Sequence, residues 1–241
     1  MNGWISDQEP SVTATRYGWQ RSSKRYPMGE KPLHVLLIGA TGVVGRHVLD
    51  LALNESRFAK VIALTRRPLP EHPKLINLVV DLNDLPAEAD WFFVDGVIST
   101  LGTTQRVAGS AEAFRAIDHG LNLAIAKRAH DSGATHFALT SSLGADPSSR
   151  SFYLRTKGEI ENDLEKIGYS SLTFVRPGLL GGTRSERRLS EDLGKVVLGV
   201  FGPILPTRWR ISRPERVARA LVDAIASGKP GRHIVDSSSL A

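Results

Sequence analysis

The sequence predicts an α/β fold with a doubly wound, mostly parallel sheet that carries helices on both faces. Two observations support this prediction. From residue 33 onward, short continuous apolar runs alternate with longer segments of helical periodicity, and such alternation is typical of parallel sheets. The first apolar run also ends in a glycine-rich turn that leads directly into a helical segment.

Seven strands and four main helices follow from these patterns. The strands are predicted at residues 33–38, 60–65, 75–80, 94–100, 136–140, 172–175 and 233–235. The helices are predicted at residues 43–53, 110–131, 151–167 and 214–227. The second helix is rich in alanine and places four apolar side chains on one face, namely Phe114, Ile117, Leu121 and Ile125.

The chain length of 241 residues fits one folded domain, which we place at residues 32–241. Residues 1–31 show neither helical nor strand periodicity and are expected to form a disordered extension. Their five Lys/Arg residues and their serines are typical of an organelle transit peptide, but Asp7, Glu9 and Glu30 argue against one. Met28 is an alternative start of the chain. We therefore expect a cytoplasmic protein.

The composition excludes several classes of function. The absence of cysteine excludes disulfides, thiolate zinc sites, iron–sulfur clusters and cysteine nucleophiles. No apolar run approaches the roughly 18 residues of a membrane span, and the histidines lack metal-ligand spacing, so neither a membrane span nor a metal site is expected. The net charge of +6 permits an anionic ligand, but the basic residues are scattered, and nucleic-acid binding is not expected.

The glycine-rich turn after the first strand contains Gly39, Gly42 and Gly45. In a Rossmann fold the first glycine makes a tight turn, the second lets a phosphate approach the backbone, and the third lets helix and strand pack closely. The N-terminus of the following helix adds unpaired N–H groups and the positive end of a dipole. Residues 39–45 are therefore predicted to bind a dinucleotide, with contacts that include Thr41, Val43 and Val44; a plain strand–helix turn is the alternative.

The end of the second strand indicates which dinucleotide binds. An acidic residue there would grip the ribose 2′-hydroxyl of NAD, but Arg66 and Arg67 follow this strand instead. Two guanidiniums suit a 2′-phosphate, so NADP(H) is predicted in preference to NAD(H), with a solvated basic turn as the alternative. Further cofactor contacts are predicted after the third and fourth strands, from Asp81, Leu82, Thr100, Leu101 and Gly102.

A serine, a tyrosine and a lysine stand in an order that suits carbonyl chemistry. The fifth strand is followed by Ser141 and Ser142, and four-residue spacing places Tyr153 and Lys157 on one helix face. A nearby ammonium favours the phenolate form, so Tyr153 can exchange a proton with a carbonyl oxygen. A serine hydroxyl can hold the same oxygen. The alternative is a packed tyrosine beside a solvated lysine, and either serine fits the role.

These residues carry a resemblance to a known family. The turn at 39–45 with Ser142, Tyr153 and Lys157 resembles the short-chain dehydrogenase/reductase superfamily, in the glycine spacing of its extended and atypical branches. Segments 136–146, 153–159 and 175–178 are similar to small atypical reductases related to the mammalian Tat-interacting protein and to NmrA-like proteins. The resemblance covers residues 33–225.

The resemblance implies a Rossmann fold, NADP(H) as the cofactor, and Tyr153 and Lys157 as the catalytic pair. It further implies that Lys157 holds the nicotinamide ribose, that Ser142 is the catalytic serine, and that Leu180 and Arg188 reach the cofactor. Residues 179–212 are expected to form a small C-terminal cap over the substrate.

We therefore expect a single-domain, NADP(H)-dependent oxidoreductase that reduces a carbonyl on a small, partly apolar substrate with Tyr153 as proton donor. One alternative is an NADP(H)-sensing regulatory protein with little or no turnover. Another is a nucleotide-sugar epimerase or dehydratase, which the short region after Pro177 disfavours. A protein partner and the choice between a monomer and a homodimer stay open.

Overall fold

A computed structural model describes residues 32–82, 84–86, 89–180 and 211–240. Within these ranges seven strands form one sheet. They are β1 (Leu33–Ile38), β2 (Phe58–Thr65), β3 (Leu75–Val79), β4 (Gly96–Ser99), β5 (His136–Thr140), β6 (Ser171–Arg176) and β7 (Gly231–Asp236). The order across the sheet is β3-β2-β1-β4-β5-β6-β7, and each neighbouring pair is parallel. The predicted α/β fold is confirmed, and the sheet is parallel throughout.

The helices connect these strands. They are α1 (Val43–Asn54), α2 (Gln105–Ala108), α3 (Ala111–Arg115), α4 (Asn122–Asp131), α5 (Phe152–Glu165) and α6 (Pro214–Ser227). A π-helical turn, Ala116–Leu121, joins α3 to α4. The prediction of one regular helix over residues 110–131 is therefore wrong in this detail. The apolar pattern does not reveal the π-helical turn, because a single wider turn leaves the apolar spacing on either side almost unchanged.

Two apolar layers cover the two faces of the sheet. Successive side chains of a strand point to opposite faces, and in β1 Val35 and Leu37 pack on the face that α1 and α6 cover. Leu36 and Ile38 pack on the other face, against α4 and α5. All four side chains are fully buried, which explains why β1 is a continuous apolar run and not an alternating one.

The sheet order creates a crevice at the carboxyl ends of β1 and β4. From β1 the chain runs outward to β2 and β3 and then returns to β4 on the other side of β1. Open parallel sheets bind ligands at such a reversal of strand order. Hydrogen bonds join the loops at this edge, from Thr100 N to Ile38 O (3.0 Å) and from Leu143 N to Pro177 O (2.8 Å). The residues predicted to bind and react therefore lie on the loops at this edge or in the first turns of the helices that follow them.

Candidate active site

The glycine turn has the local geometry that its sequence predicts. Gly39 adopts φ +83°, and a Cβ at this position would lie 2.6 Å from Oγ1 of Thr100. A Cβ at Gly45 would lie 1.9 Å from the carbonyl oxygen of Gly39. Only a residue without a side chain fits at these two positions, because backbone and neighbouring side chains already occupy the space. The turn therefore brings α1 against β1 as closely as two backbones allow.

The middle glycine is less crowded, since a Cβ there would make a tight contact and not an overlap. A Cβ at Gly42 would meet only Gly39 O, at 3.3 Å, among its neighbours. Gly42 is the N-cap of α1, no side chain caps this helix, and its first turn contains no acidic residue. Unpaired N–H groups and the positive end of the helix dipole therefore face the crevice, which suits a pyrophosphate. The Val44 side chain is buried in the core, so a contact from Val44 to a ligand would use its backbone.

Arg66 and Arg67 are exposed directly after β2, the strand next to β1. Side-chain hydrogen bonds fix the turn that carries them: Thr65 Oγ1 donates to Arg67 O (2.7 Å), and Asn77 Nδ2 donates to Thr65 Oγ1 (2.7 Å). Asp81 is also exposed, whereas Leu82 is half-buried against the core. The arginines are therefore presented on an ordered turn beside the predicted dinucleotide site.

The two serines after β5 have different partners. Ser141 is buried and donates its hydroxyl to Oε1 of Glu161. Glu161 also accepts hydrogen bonds from the guanidinium of Arg176, one of them at 3.0 Å. Ser142 is half-buried, and its hydroxyl donates to its neighbour Leu143 O at 3.3 Å. Of the pair, Ser142 is the serine whose hydroxyl can turn toward a ligand without breaking a buried network.

Tyr153 lies in the first turn of α5, whose N-cap Ser151 accepts a hydrogen bond from Leu154 N. Its side chain is 40% exposed, and its ring packs against the buried Phe114 with centroids 5.7 Å apart. Lys157 follows one turn later and is only 4% exposed. Tyr153 is thus accessible from solvent, whereas the ammonium of Lys157 lies beneath the surface.

The Lys157 ammonium has a buried carboxylate as its counter-ion. Nζ lies 2.7 Å from Oδ1 of Asp118, in the π-helical turn, and donates to Thr140 O at 3.5 Å. In the described part of the chain Oδ1 of Asp118 has no partner other than this ammonium, so the contact is a buried ion pair. Burial by itself lowers the pKa of Lys157, but attraction to Asp118, and then to Tyr153 and Glu161, outweighs burial and raises it. Lys157 is therefore a cation at neutral pH.

Asn122 extends this buried polar region to β4. Its Oδ1 accepts a hydrogen bond from Ser99 Oγ, and its Nδ2 donates to the carbonyl oxygens of Asp118 (3.1 Å), Ile117 (3.3 Å) and Leu101 (3.4 Å). Each carbonyl belongs to the π-helical turn or to the loop after β4. The side chain therefore joins the wider helical turn to the loop that contains the predicted cofactor contacts.

Sequence reasoning missed Asp118, Asn122 and Glu161. A signal for them existed: Asp118 and Asn122 share a four-residue row with Phe114, and Glu161 continues the row of Tyr153 and Lys157. Polar residues on rows that face the core need buried partners. That requirement identifies such residues as members of a network, but it does not identify their partners.

Several predictions fall outside the described residues. Arg188, the extension at residues 1–31 and most of the cap at 179–212 belong to this group. Leu180 is described: it is 40% exposed and pairs with Ser212 in a short parallel bridge. In the described ranges no helix has the length and apolar content of a membrane span. The same ranges contain no group of three or more potential metal ligands.

The parallel sheet, the glycine turn and the open N-terminus of α1 define a nucleotide-binding α/β domain. The chain belongs to the NAD(P)H-binding family, whose model matches residues 39–228. It is 36% identical over 207 residues to the protein named "Protein fmp52, mitochondrial" of Aspergillus niger, covering 79% of this chain and 86% of that one. It is 35% identical over 188 residues to "Protein FMP52, mitochondrial" of Candida albicans, covering 73% and 79%.

Solved structures share the fold at low identity. A short chain dehydrogenase family protein from Francisella tularensis subsp. tularensis SCHU S4 matches with a TM-score of 0.60 and 16% identity, over 86% of this chain and 98% of that one. MoeE5 in complex with UDP-glucose and NAD matches with a TM-score of 0.65 and 18% identity, over 83% and 74%. At these identities the two structures show that the fold is shared.

The expectation of a cytoplasmic protein is wrong. Relatives from Aspergillus niger, Candida albicans and Debaryomyces hansenii, at 35–36% identity, all carry the word mitochondrial in their names. The expectation depended on reading three acidic residues among residues 1–31 as evidence against a transit peptide. The five basic residues and the serines of this segment match the composition of transit peptides, and the expectation gives the three acidic residues too much weight against them.

Proposed function

We propose that the protein is an NADP(H)-dependent oxidoreductase of the atypical short-chain dehydrogenase/reductase type, which reduces a carbonyl on a small, partly apolar substrate. The observation that carries the proposal is the pairing of an exposed Tyr153 with a buried, charged Lys157 one helical turn away. The resemblance of residues 136–178 to reductases related to the Tat-interacting protein and to NmrA-like proteins adds support.

The residues of the crevice fit a dinucleotide. The backbone at 39–45 and the open N-terminus of α1 would hold the pyrophosphate. Arg66 and Arg67 would hold a 2′-phosphate, which is the basis for proposing NADP(H) in preference to NAD(H). Asp81 and Leu82 would border the adenosine, and the loop after β4 would pass beside it. The chemistry that such a cofactor supplies is hydride transfer.

Tyr153 would supply the proton. Its hydroxyl donates to the carbonyl oxygen as the carbon accepts hydride, so that the carbonyl becomes an alcohol. Ser142 donates a hydrogen bond to the same oxygen and orients it. Lys157 stays protonated, attracts negative charge toward the tyrosine oxygen, and would hold the nicotinamide ribose by hydrogen bonds.

Apolar side chains near the carboxyl end of β6 support a partly apolar substrate. Leu179 and Ile211 are about half exposed, and Leu180 is 40% exposed. The bridge between Leu180 and Ser212 brings the two ends of the proposed cap together. A substrate between Tyr153 and these side chains would bury apolar surface on binding. The names of the fungal relatives, which include the word mitochondrial, support a mitochondrial location for this protein.

The test is oxidation of NADPH in the presence of a panel of aldehydes, ketones and quinones. We expect turnover with at least one partly apolar carbonyl compound, and a loss of about 10²–10⁴-fold in Tyr153→Phe with NADPH binding unchanged. Full turnover in Tyr153→Phe would contradict the role of the hydroxyl. Tight NADPH binding without turnover on any carbonyl would contradict the reductase and favour the sensing protein.

A further inference from the structure

Asp118 lies where three segments of the proposed site meet. It stands in the π-helical turn between α3 and α4, and the residue is 1% exposed. Oδ1 pairs with Lys157 of α5, and Oδ2 accepts a hydrogen bond from Thr103 N, after β4, at 2.8 Å. One carboxylate therefore joins the proposed catalytic lysine to the loop that carries the proposed cofactor contacts.

The contact between Asp118 and Lys157 is buried. The side chain of Asp118 is 0% exposed and that of Lys157 is 5% exposed. A buried ammonium needs a counter-ion, because desolvation costs several kcal/mol for an unpaired ion. Tyr153 and Glu161 of α5 also face the lysine, but Arg176 of β6 already pairs with Glu161. Among the described residues, Asp118 is therefore the carboxylate available to Lys157.

The backbone of Gly102 covers the pair. A Cβ at this glycine would lie 3.3 Å from Asp118 Oδ1 and 3.7 Å from Lys157 Nζ. The absence of a side chain lets the loop after β4 pass close above both charges. The hydrogen bond from Thr103 N then holds that loop on the carboxylate. A shift of Asp118 would move the loop and the ammonium together.

We propose that Asp118 is a positioning residue, which holds the Lys157 ammonium charged and in place and fixes the loop at residues 100–103 beside it. The proposal rests on the proposed function, since the position of Lys157 matters to chemistry only if Tyr153 transfers the proton. The pairing itself can be tested without a substrate or a cofactor.

The test follows the ionisation of Lys157 in the whole protein by NMR. Lysine is labelled with carbon-13 at Cε, and the Lys157 signal is assigned by its loss in Lys157→Arg. Between about pH 7 and about pH 11, where an ordinary lysine side chain has mostly lost its proton, we expect the wild-type signal to stay at the ammonium position. In Asp118→Asn, which keeps the size of the side chain but removes its charge, we expect the signal to move toward the neutral amine within that range.

Asp163→Asn is the matched control. Asp163 belongs to α5 and also links this helix to the π-helical turn, but its partners are His119 and Lys166 and not Lys157. We expect its Lys157 signal to match the wild type. An ordinary titration of Lys157 in the wild type, or an unmoved signal in Asp118→Asn, would overturn the proposal. If Asp118→Asn does not fold, the wild-type titration alone decides in the same way.

Turnover separates this proposal from the proposed function. With any carbonyl substrate that the wild type reduces, we expect Asp118→Asn to lower kcat at least tenfold at about pH 9 and less at about pH 7, as Lys157 loses its proton. An unchanged pH profile beside a moved NMR signal would overturn the positioning role and leave the reductase intact. Absence of turnover in the wild type would instead contradict the reductase and leave the titration result standing.

Discussion

Ser141 donates its hydroxyl to the buried carboxylate of Glu161, although Ser142 is the residue next to the proposed reaction. The two serines are adjacent in the chain, but the first belongs to a network with Arg176, whereas the second donates its hydroxyl to the carbonyl oxygen of Leu143. Since successive residues at a strand end face opposite sides, the structure separates a structural serine from a candidate catalytic one.

Substitution of the two serines should therefore give opposite results. Ser142→Ala should lower kcat for carbonyl reduction about tenfold or more, with the free energy of unfolding changed by less than about 0.5 kcal/mol. Ser141→Ala should cost about 1–3 kcal/mol of that free energy, because Glu161 loses a buried donor, and should leave kcat near that of the wild type. Urea unfolding and initial rates measure both quantities. A loss of kcat confined to Ser141→Ala would reverse the assignment.

Substitutions of Gly42 and Gly45 should separate an effect on cofactor binding from an effect on folding. Gly45→Ala should prevent stable folding, because its Cβ would overlap the Gly39 carbonyl oxygen. Gly42→Ala should fold with a loss of no more than about 1 kcal/mol, the cost of alanine at an N-cap, but should weaken NADPH binding by obstructing the phosphate. Thermal unfolding and cofactor titration of both variants are the measurements. Unweakened binding in Gly42→Ala would argue against pyrophosphate at this turn.

Sequence alone predicts the bounds of a strand or helix well where residues at its ends act as start or stop signals. The bounds of β1 and α6 agree with prediction residue for residue. Glycine closes the apolar run of β1, and α6 begins at Pro214 and ends before Gly228, which adopts φ +54°. Such signals act within a few residues, so they can be recognised in the sequence.

The residues of the candidate site can be predicted from the sequence only in part. Tyr153 and Lys157 are four residues apart on one helix, so their proximity follows from helical geometry. The counter-ion of Lys157 is different, because Asp118 comes from another helix and meets the lysine only when both pack against the sheet. The π-helical turn that carries Asp118 is likewise set by tertiary packing, which apolar periodicity does not encode.

The two arginines after β2 should distinguish the cofactors. Arg66→Ala combined with Arg67→Ala should weaken NADPH binding by about 10²–10⁴-fold, since two charged hydrogen bonds are lost and each contributes about 1.5–3 kcal/mol. NADH binding should change by less than about threefold, because NADH lacks the 2′-phosphate. The matched control removes two exposed positive charges near the opposite edge of the sheet, with Lys229→Ala and Arg232→Ala. Equal weakening of NADPH and NADH would count against the 2′-phosphate contact.

The pair of Lys157 and Asp118 should behave as a buried ion pair in stability measurements. Lys157→Met leaves a carboxylate buried without its cation and should lower the free energy of unfolding by about 3–5 kcal/mol. Adding Asp118→Asn should recover most of this loss. Lys166→Met, which breaks a surface pair with Asp163, should cost less than about 1 kcal/mol. A double variant no more stable than Lys157→Met would show that the two residues are not coupled.

The same pair sets an alkaline limit to stability. Because the pKa of Lys157 is raised in the folded protein, its contribution is complete below the unfolded-state value of about 10.4 and is lost as the pH rises through the folded-state pKa. The free energy of unfolding, measured with urea, should therefore fall more steeply above about pH 10 in the wild type than in the double variant with Lys157→Met and Asp118→Asn. Parallel curves would contradict a charged, paired lysine.

In the proposed function, the crevice at the carboxyl ends of β1 and β4 binds NADPH beside Tyr153. The most direct measurement is a titration of the wild-type protein with NADPH, followed by energy transfer from tryptophan to the bound nicotinamide. We expect saturable binding in the micromolar range. The affinity should be unchanged in Tyr153→Phe and weakened when Arg66 and Arg67 are both replaced by alanine. Absence of saturable transfer up to about 1 mM NADPH would contradict this proposal.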